Sequence, residues 1–599
     1  MKNFTVSMLS MLYQRKIIHS SGLSFLVIVM FMGGVHPFCA FAEGTKQIMP
    51  TSGTFGELQL MPSFSNFAWF DCDVDDRLNI RVKTVGEKIC FGFGERRDNN
   101  GAAIADVQYR LRRSDGTVVM GPAALPTTGA GWISTYDQAV IGPANLTGNA
   151  GGYTALTHTA TMTGDYYIEF SFNNSGWGAP DRCRFRYFDI TVGSASNSEI
   201  DGRVWSKAWQ FTSGAQNNEF SGTLFVYADD GIVTKVDFNG IQPYVFTVYC
   251  NITGITNTGV FEEDRKSKPG TFYSAVAQYK IFLNNPDVTI YTTGAFGQIT
   301  GPVTTDSHCD GNLDIFVPVN KTGKVDIFIN INPLPGAQPE DVSLTANVAV
   351  GNNTITWNGM NGLGLPVSSG SVITVTVTYI NGLTNLPMRD PDTHPFGFIV
   401  QLVRPTGPNP ALFWDDSQVG GTTNLTGCTL SSGCHPFTLG VGNNNYINTW
   451  WYASSTTGAP VTVNYRRSYA GSSNTSICTG DSILINGTWV NTAGSYVNYL
   501  INQQGCDSVV TTNLLLRPTP SFSLGPDTTV CNGQPVVITA PTGPEYSYLW
   551  NTGATTQSIT VTQTGTYSVG ITNGAGCTGY DTVEYVSFPI PSPVLIRHN

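Results

Sequence analysis

Charged side chains are scarce in this 599-residue chain, where Asp, Glu, Lys and Arg make up 12% of the residues, against about 25% in typical soluble domains. The mean hydropathy is nevertheless −0.04, so uncharged Thr, Ser, Asn, Gln and Gly supply most of the polarity. A hydrophobic content of 41% is ample for packed cores and excludes a largely disordered chain. The 65 glycines and 33 prolines indicate many short segments separated by turns.

A sustained helical period is absent beyond residue 42, whereas short runs of alternating polar and apolar residues recur throughout the chain. This alternation is typical of antiparallel strands with one solvated face. At about 150 residues per domain, the chain is long enough for roughly four domains. We therefore expect an all-β protein built from tandem β-sandwiches.

Common catalytic motifs are also missing, because neither a His-Glu-x-x-His nor a Gly-x-Ser-x-Gly sequence occurs. Residues 574–579 have the glycine spacing of a dinucleotide-binding loop, but predicted strands flank them and Cys577 lies inside, so a turn is the better interpretation. Cys428, Cys434 and His435 lack the second ligand pair of a zinc site. The sequence thus predicts neither an enzyme nor a bound organic cofactor.

The first 42 residues have the pattern of an export signal. Arg15 and Lys16 precede the apolar run 23–32, and the small residues of Ala40–Ala42 form a cleavage site before Glu43. Cleavage removes three positive charges and no acid from a chain of formal net charge −11, which leaves −14. We expect a secreted, acidic protein that has no membrane-spanning segment after cleavage and does not bind nucleic acid.

Clusters of Gly, Pro and Asn divide the exported part into predicted domains. Two β domains are expected over residues 43–195 and 196–333, and the second ends at the proline-rich connector 332–339. A third β domain is expected over 334–468, where Thr and apolar residues alternate along 372–379.

The chain then repeats itself. Cys478-Thr479-Gly480 is answered by Cys531-Asn532-Gly533, a Gly-x-Tyr sequence recurs at Tyr496 and Tyr567, and a Gly-Cys pair follows each Tyr at Cys506 and Cys577. The repeat predicts two small β modules over residues 469–518 and 519–587, followed by a proline-rich tail over 588–599. The second copy has 18 more positions between its cysteines than the first, which fits an added hairpin around Tyr548–Trp550.

Cysteines of an exported protein are more often disulfide-bonded than metal-bound. From their proximity in sequence we expect one bond inside each module and one in a small loop. A bond between Cys250 and Cys309 is a further hypothesis, and an odd thiol remains for pairing between chains. The three expected bonds are Cys478–Cys506, Cys531–Cys577 and Cys428–Cys434.

Closely spaced acids occur in the loop that contains Asp71, Asp73, Asp75 and Asp76. Such carboxylates suit a structural calcium ion, which takes six to eight oxygen ligands. The loop departs from the EF-hand pattern, because Asp76 replaces the expected glycine and Val82 the expected glutamate. A solvated acidic loop is the alternative interpretation.

Other acids and aromatics offer further alternatives. The four acids Asp390, Asp392, Asp415 and Asp416 are a second acidic group, and paired carboxylates can cleave glycosides. Trp414, Trp450 and Trp451 are candidates for a sugar-stacking platform. Because neighbouring strand residues point to opposite faces, one of Trp450 and Trp451 is expected inside and the other outside. Packing of these rings in a core is the alternative.

The paired modules, with their Cys-x-Gly openings, their Gly-x-Tyr sequences, their Gly-Cys pairs and the stretch Tyr548–Gln557, resemble the immunoglobulin- and PKD-like modules of Bacteroidota surface proteins. Those proteins are often associated with gliding motility or type IX secretion. Residues 355–367 are similar to the Trp-Asx-Gly hairpin of flagellar-hook-cap-like domains. The resemblance implies surface display, adhesion or spacing against an extracellular protein or polysaccharide, without catalytic residues.

Three hypotheses follow from the sequence. The first is a non-catalytic, secreted or surface-displayed adhesin or structural protein. The second is a carbohydrate-binding surface protein that uses exposed aromatic rings, and the third is a secreted hydrolase within residues 43–333.

Overall fold

A computed structural model describes residues 42–594 except 62–64, 98–102, 105, 172–181, 335–337, 502 and 504. Most of the predicted export signal therefore lies outside the described residues. The helices are short: α1 (Thr45–Ile48), α2 (Tyr136–Ile141), α3 (Phe261–Asp264) and α4 (Leu439–Gly442), with 3-10 turns at Val74–Asp76 and Ser417–Val419. No helix within the described part of the chain is long and apolar enough to cross a membrane.

Strands form nearly all of the regular structure, as the alternating sequence pattern predicts. The first strands are β1 (Glu57–Leu60), β2 (Leu78–Val82), β3 (Lys88–Phe93), β4 (Arg96–Arg97), β5 (Gln108–Arg113), β6 (Val118–Ala124), β7 (Leu156–Thr159), β8 (Gly164–Ser171), β9 (Cys183–Phe185), β10 (Phe188–Gly193) and β11 (Glu199–Ile200). They are followed by β12 (Val204–Ser206), β13 (Ala208–Thr212), β14 (Thr223–Tyr227), β15 (Val233–Asp237), β16 (Val245–Tyr249), β17 (Lys268–Pro269) and β18 (Lys280–Phe282).

The middle of the chain continues with β19 (Thr304–Ser307), β20 (Leu313–Val319), β21 (Gly323–Asn330), β22 (Val342–Val348), β23 (Gly351–Trp357), β24 (Val372–Asn381), β25 (Thr384–Arg389), β26 (Asp392–His394), β27 (Ile399–Arg404), β28 (Leu412–Asp415), β29 (Thr423–Cys428), β30 (Phe437–Thr438), β31 (Asn445–Trp451), β32 (Ser454–Thr457) and β33 (Val461–Asn464).

The C-terminal part holds two further sets of strands. The first set, which we call the short module, comprises β34 (Ala470–Cys478), β35 (Ile483–Ile485), β36 (Thr488–Val490), β37 (Gly494–Ile501) and β38 (Asp507–Arg517). The second set, the long module, comprises β39 (Thr528–Cys531), β40 (Val536–Thr539), β41 (Ser547–Trp550), β42 (Ser558–Val561), β43 (Gly565–Thr572) and β44 (Thr578–Phe588).

Two large sheets form one body from strands that the sequence assigns to three domains. A ten-stranded sheet has the order β29-β28-β31-β25-β16-β13-β1-β9-β4, with β17 beside β31. A nine-stranded sheet has the order β27-β15-β14-β18-β12-β2-β8-β5-β6. Side chains of both sheets share one buried hydrophobic cluster, which contains Leu58, Ile80, Val226 and Met388.

The predicted boundary at residues 195/196 is wrong, because both sheets run through it. Leu58 of β1 lies opposite Phe211 of β13, and Ile80 of β2 lies opposite Val204 of β12. Strands that pair in this way cannot belong to separate sandwiches. Residues 43–195 and 196–333 therefore do not form independent domains.

The second unit is a β-sandwich, which we call the middle sandwich. Its sheets are β19-β20-β23 and β22-β21-β24-β32, with β33 beside β24. Val325, Ile327, Val375 and Val377 belong to its separate core. The predicted alternation along 372–379 is present, because Ile373, Val375, Val377 and Tyr379 are buried and the threonines between them are not.

The predicted boundary at residues 333/334 is also wrong. It falls inside the hairpin of β21 and β22, where Ile327 lies opposite Leu344, so the predicted connector is the loop of that hairpin. Between β24 and β32 the chain returns to the body, since Met388 of β25 lies opposite Val248 of β16. Residues assigned by sequence to a third domain are thus divided between two units.

The short and long modules have the same plan. In each, the first strand runs parallel to the last, β34 beside β38 and β39 beside β44, and the last strand pairs antiparallel with the one before it. A small second sheet is formed by β35 and β36 in the short module and by β40 and β42 in the long module.

The 18 additional positions of the long module contribute one strand of four residues with its flanking loops, not the predicted hairpin. Asn486 and Gly487 join β35 directly to β36 by a tight turn with positive φ angles of 53° and 76°. At the same place the long module inserts β41 between β40 and β42. Strand β41 pairs with β43, where Trp550 lies opposite Val569.

Candidate functional site

Disulfide bonds join successive units of the chain. Cys309 of the middle sandwich is bonded to Cys506 of the short module, and Cys478 of the short module is bonded to Cys577 of the long module. The bond between Cys428 and Cys434 closes a small loop in the body, as expected from their spacing. The predicted pairs Cys478–Cys506, Cys531–Cys577 and Cys250–Cys309 are not formed.

The geometry of the last strand explains why the intramodule prediction was wrong. Cys478 lies opposite Arg517 at the far end of β38, whereas Cys506 immediately precedes Asp507, where β38 begins. An 11-residue strand spans about 35 Å at roughly 3.3 Å per residue, while bonded cysteines have Cα atoms within about 7 Å. The two cysteines therefore face opposite neighbours along the chain.

The long module has the same arrangement. Cys531 lies opposite Phe588 at the end of β44, and Cys577 precedes the first residue of that strand. Each Gly-Cys turn thus lies at the end of its module that faces the preceding unit. Each Cys-x-Gly sequence lies at the end that faces the next unit.

A third Cys-x-Gly sequence, Cys309-Asp310-Gly311, was missed in the sequence analysis. It follows strand β19, as Cys478 and Cys531 end β34 and β39. Its glycine has a φ of 93°, and Gly480 and Gly533 also have positive φ angles, which favour glycine. This shared turn was the signal that could have identified Cys309 as the partner of Cys506.

Cys531 is the member of this series that remains unpaired. It is an exposed free cysteine at the forward end of the long module. The free cysteines Cys72, Cys90, Cys183 and Cys250 are all buried in the body. Desolvation raises the pKa of Cys72 to about 12, so that thiol stays protonated and unreactive at neutral pH.

The acidic loop does not bring its four carboxylates together. Asp71 accepts hydrogen bonds from Arg110 at 3.0 Å and Arg112 at 3.4 Å, and Asp75 pairs with Lys207 at 2.7 Å. Within the described residues, no group of three or more His, Cys, Asp or Glu side chains is placed to hold a metal ion. The structure therefore does not gather the four carboxylates proposed for calcium, because arginine and lysine side chains bind Asp71 and Asp75.

A cleft of about 650 Å³ lies beside the same loop. Its lining includes Asp73, Asp75 and Asp76 together with Phe272 and Tyr273 of the irregular segment 271–277. Phe272 is 97% exposed, which is unusual for so large an apolar ring.

Strands of the ten-stranded sheet complete the cleft. Its remaining walls include Tyr249 at the end of β16, Arg389 at the end of β25 and Tyr446 on β31. Burial raises the pKa of Tyr446 to about 12. Burial, followed by the charges of Asp73 and Asp75, raises the pKa of Asp76 to about 6. The cleft combines aromatic faces with carboxylate, phenol and guanidinium groups.

The predicted tryptophan platform is wrong, because all three rings are buried. Trp450 and Trp451 are 2% and 0% exposed, and Trp414 is 7% exposed. Trp451 donates its ring N–H to Thr234 Oγ1 at 3.3 Å, and Trp450 is covered by Phe413 and by the Arg265 guanidinium. Trp450 and Trp451 lie on opposite faces of the sheet, as adjacent strand residues should, but other parts of the protein cover both faces.

Asp416 of the second acidic group is used in buried hydrogen bonds. Asp416 accepts from Ser267 Oγ at 2.6 Å and pairs with His435 Nε2 at 2.8 Å, while His435 Nδ1 contacts Thr449 Oγ1 at 2.7 Å. The His435 ring is also stacked on Trp414 at 4.7 Å. The serine hydroxyl bonds to the carboxylate, not to the imidazole, so these residues lack the Ser–His contact of a nucleophile and its base.

These strand pairings define the class of protein: a series of β-sandwich units in one chain. No protein-family model matches the chain, and no curated protein matches it.

Solved structures give overlays with little shared arrangement. The chain is similar to the I9–I11 tandem of titin at 8% identity over 48% of this chain and 100% of that chain, with a TM-score of 0.12. A 1.5-MDa bacterial ice-binding adhesin matches at 12% identity over 48% and 99%, with a TM-score of 0.10. The N-terminal eight immunoglobulin domains of Down Syndrome Cell Adhesion Molecule match at 7% identity over 84% and 87%, with a TM-score of 0.11. The fold assignment rests on the strand topology itself.

Proposed function

We propose that this chain is an exported, non-catalytic surface protein of adhesin or structural type. Its N-terminal body presents a binding surface, and the middle sandwich and the two modules hold that body away from the point of attachment. The observation that carries the proposal is the placement of Cys309–Cys506 and Cys478–Cys577 between successive units. Bonds in these positions fix each unit against the next, in addition to the support that they give to the short module.

Each joint is held at more than one point. At the first joint, Ser468 N donates to Cys309 O and Val509 N donates to Tyr469 O, both at 2.7 Å. At the second, Arg517 Nη1 donates to Ala575 O at 3.0 Å and Asn573 Nδ2 donates to Pro518 O at 2.8 Å. A disulfide next to a hydrogen-bonded linker restricts both bending and twisting, which suits a spacer.

Small-angle scattering of the exported protein tests this role. We expect the scattering of an extended, rigid particle while the bonds are intact. After mild reduction we expect the scattering of a flexible chain. Peptide mapping without reductant should recover the two joint-spanning bonds. Free thiols at Cys309, Cys478, Cys506 and Cys577, or identical scattering with and without reductant, would contradict the spacer proposal.

We further propose that Cys531 bonds to the Gly-Cys turn of a matching module on another polypeptide. Its two counterparts, Cys309 and Cys478, make that bond within the chain. Bond formation removes two protons and two electrons from the paired thiols, and a disulfide-donating protein of the export pathway accepts them. Electrophoresis without reductant should show a higher-mass species that Cys531→Ser abolishes, and Cys250→Ser is the matched control.

Surface display by the type IX route is the export hypothesis that the resemblance to Bacteroidota surface proteins supports. On intact cells, a membrane-impermeant maleimide should label Cys531 after mild reduction. Labelling only after cell lysis would contradict surface display. The Cys531→Ser variant controls for labelling at other thiols.

A second candidate function is carbohydrate binding in the acidic aromatic cleft. Exposed aromatic rings stack on sugar rings, and carboxylates accept hydrogen bonds from hydroxyl groups. The near-complete exposure of Phe272 beside Asp73 and Asp75 favours this site. A glycan array should give hits that Phe272→Ala reduces at least tenfold. Trp489→Ala, at an aromatic position that is 68% exposed and lies outside the cleft, should leave them unchanged. Hits indifferent to Phe272 would remove the cleft as the binding site.

A further inference from the structure

The short module has an open edge at the place where the long module has a strand. In the long module β41 pairs with the outer edge of β43, and the sheet order is β39-β44-β43-β41. In the short module the sheet order is β34-β38-β37, so β37 is the last strand within the part of the chain that the structure describes.

Corresponding backbone groups show that the edge is otherwise the same. The Gly-x-Tyr sequences align Val497 with Ser568, whose carbonyl accepts the backbone N–H of Asn551 at 2.9 Å. The carbonyl of Val497 accepts a side-chain N–H, from Asn486 Nδ2 at 3.0 Å. A strand that took the position of β41 would find the same outward-facing carbonyl.

The side chains around this edge are left without cover. Leu500 corresponds to Ile571, which lies opposite Tyr548 of β41 and is fully buried in the long module's core, yet Leu500 is 48% exposed. Tyr499 and Ile501, on the other face of β37, are each 76% exposed. Strand β37 carries no charge and no proline, so it lacks the features that usually protect an edge from pairing.

A cavity of about 1060 Å³ opens at the end of the same strand. Ile501 and Ser508 of the short module line it together with Val367 and Tyr469 near the joint to the middle sandwich. The open edge is therefore continuous with the established contact between two units of the chain. A strand bound along β37 would extend directly into this space.

We propose that β37 is a docking site for one extended segment of a partner protein, which adds antiparallel and takes the place that β41 has in the long module. The occupant is uncharged and carries aromatic residues at alternate positions, as Tyr548 and Trp550 do in β41, where Trp550 is 2% exposed. Main-chain hydrogen bonds supply the pairing, and the inward aromatic ring covers Leu500. This inference does not depend on the proposed cleft or on Cys531.

The test uses the full exported chain and a capped peptide with the sequence of residues 546–551. We expect saturable binding, with slower hydrogen exchange confined to amides of β37. Leu500→Lys should weaken binding at least tenfold by placing a charge beneath the incoming ring. Because that change can disturb the module, Tyr499→Lys on the other face provides a second variant, and peptide mapping of Cys309–Cys506 reports whether the module is intact.

Leu484→Lys is the matched control, because Leu484 is 54% exposed but lies on the separate β35–β36 hairpin. Binding that survives both β37 variants, protection of amides elsewhere, or no saturable binding would overturn the proposal. A concentration-dependent dimer that buries β37 and excludes the peptide would assign the edge to a second copy of this chain, which also overturns it.

Discussion

In the long module Trp550 packs against Val569, Ile571 and Val583, and all four side chains are at most 4% exposed. In the short module the aligned positions hold Asn498, Leu500 and Thr512, and no residue replaces the tryptophan. Among the described residues of the short module, the buried apolar side chains are Ile485, Cys506 and Leu514.

The comparison separates two ways of stabilising one plan. The long module has a core of its own, while the short module relies on bonds at both ends, Cys506 to the middle sandwich and Cys478 to the long module. Small domains that bury little apolar surface often need such covalent support. The two copies therefore share the cysteines that join them to neighbouring units, whereas their buried residues differ.

The largest expected effect is the loss of stability when the core tryptophan of the long module is removed. Trp550→Ala should destabilise the long module by about 3–5 kcal/mol, because it leaves a cavity and removes the ring N–H bond to Thr556 O. Trp489→Ala in the short module should change stability by less than about 0.5 kcal/mol, since that ring is 68% exposed. Hydrogen exchange of β43 and β37 amides measures both. Equal losses in the two modules would contradict the assignment of a core to one of them.

Removal of each bond should give the next largest effect. Replacing Cys309 and Cys506 together by Ser should cost the short module about 2–4 kcal/mol and expose it to proteolysis. Replacing Cys478 and Cys577 together should loosen the joint but leave β43 and β44 protected, because the long module keeps its core. Limited proteolysis with mass spectrometry distinguishes the outcomes, and the idea fails if both double variants are cleaved within the long module.

The tight turn of the short module should show a smaller effect. Gly487 has a φ of 76°, and a left-handed conformation costs a non-glycine residue about 1–2 kcal/mol. Gly487→Ala should lower the stability of the short module by that amount. Gly494→Ala, at a position without a positive φ, is the control, and thermal unfolding followed by hydrogen exchange compares them.

The smallest effect is expected from restoring one core residue. Asn498→Val gives the short module the side chain found at Val569, but the strand that would cover it is absent. We expect a change within about 0.5 kcal/mol. A gain as large as that of a buried valine, about 1.5–3 kcal/mol, would show that the short module already encloses this position.

Local patterns were enough to predict the strands. The alternation of Thr with Val and Ile along β24, and the repeated Cys-x-Gly and Gly-Cys sequences, each reflect contacts within a few residues. The all-β class and the equivalence of the two modules follow from such patterns. The difference of 18 positions between the modules also predicted an added element in the long module, although these positions contain one strand and not two.

Long-range pairing could not be read in the same way. Nothing near Leu58 indicates that β1 pairs with β13, and nothing near Met388 indicates a return to the body after β24. The disulfide prediction failed for a related reason, because proximity in sequence hid the length of the intervening strand. The tryptophan prediction failed because the sequence does not tell which sheet faces are covered by other parts of the chain.

The bond between Cys309 and Cys506 also determines how the protein responds to a pulling force. Tension along the chain passes from Cys309 directly to Cys506, so the 197 positions of sequence separation between them contribute no extension while the bond is intact. The middle sandwich can then lose its fold without lengthening the molecule. Reduction of that single bond would add these positions to the length that the chain can reach under tension.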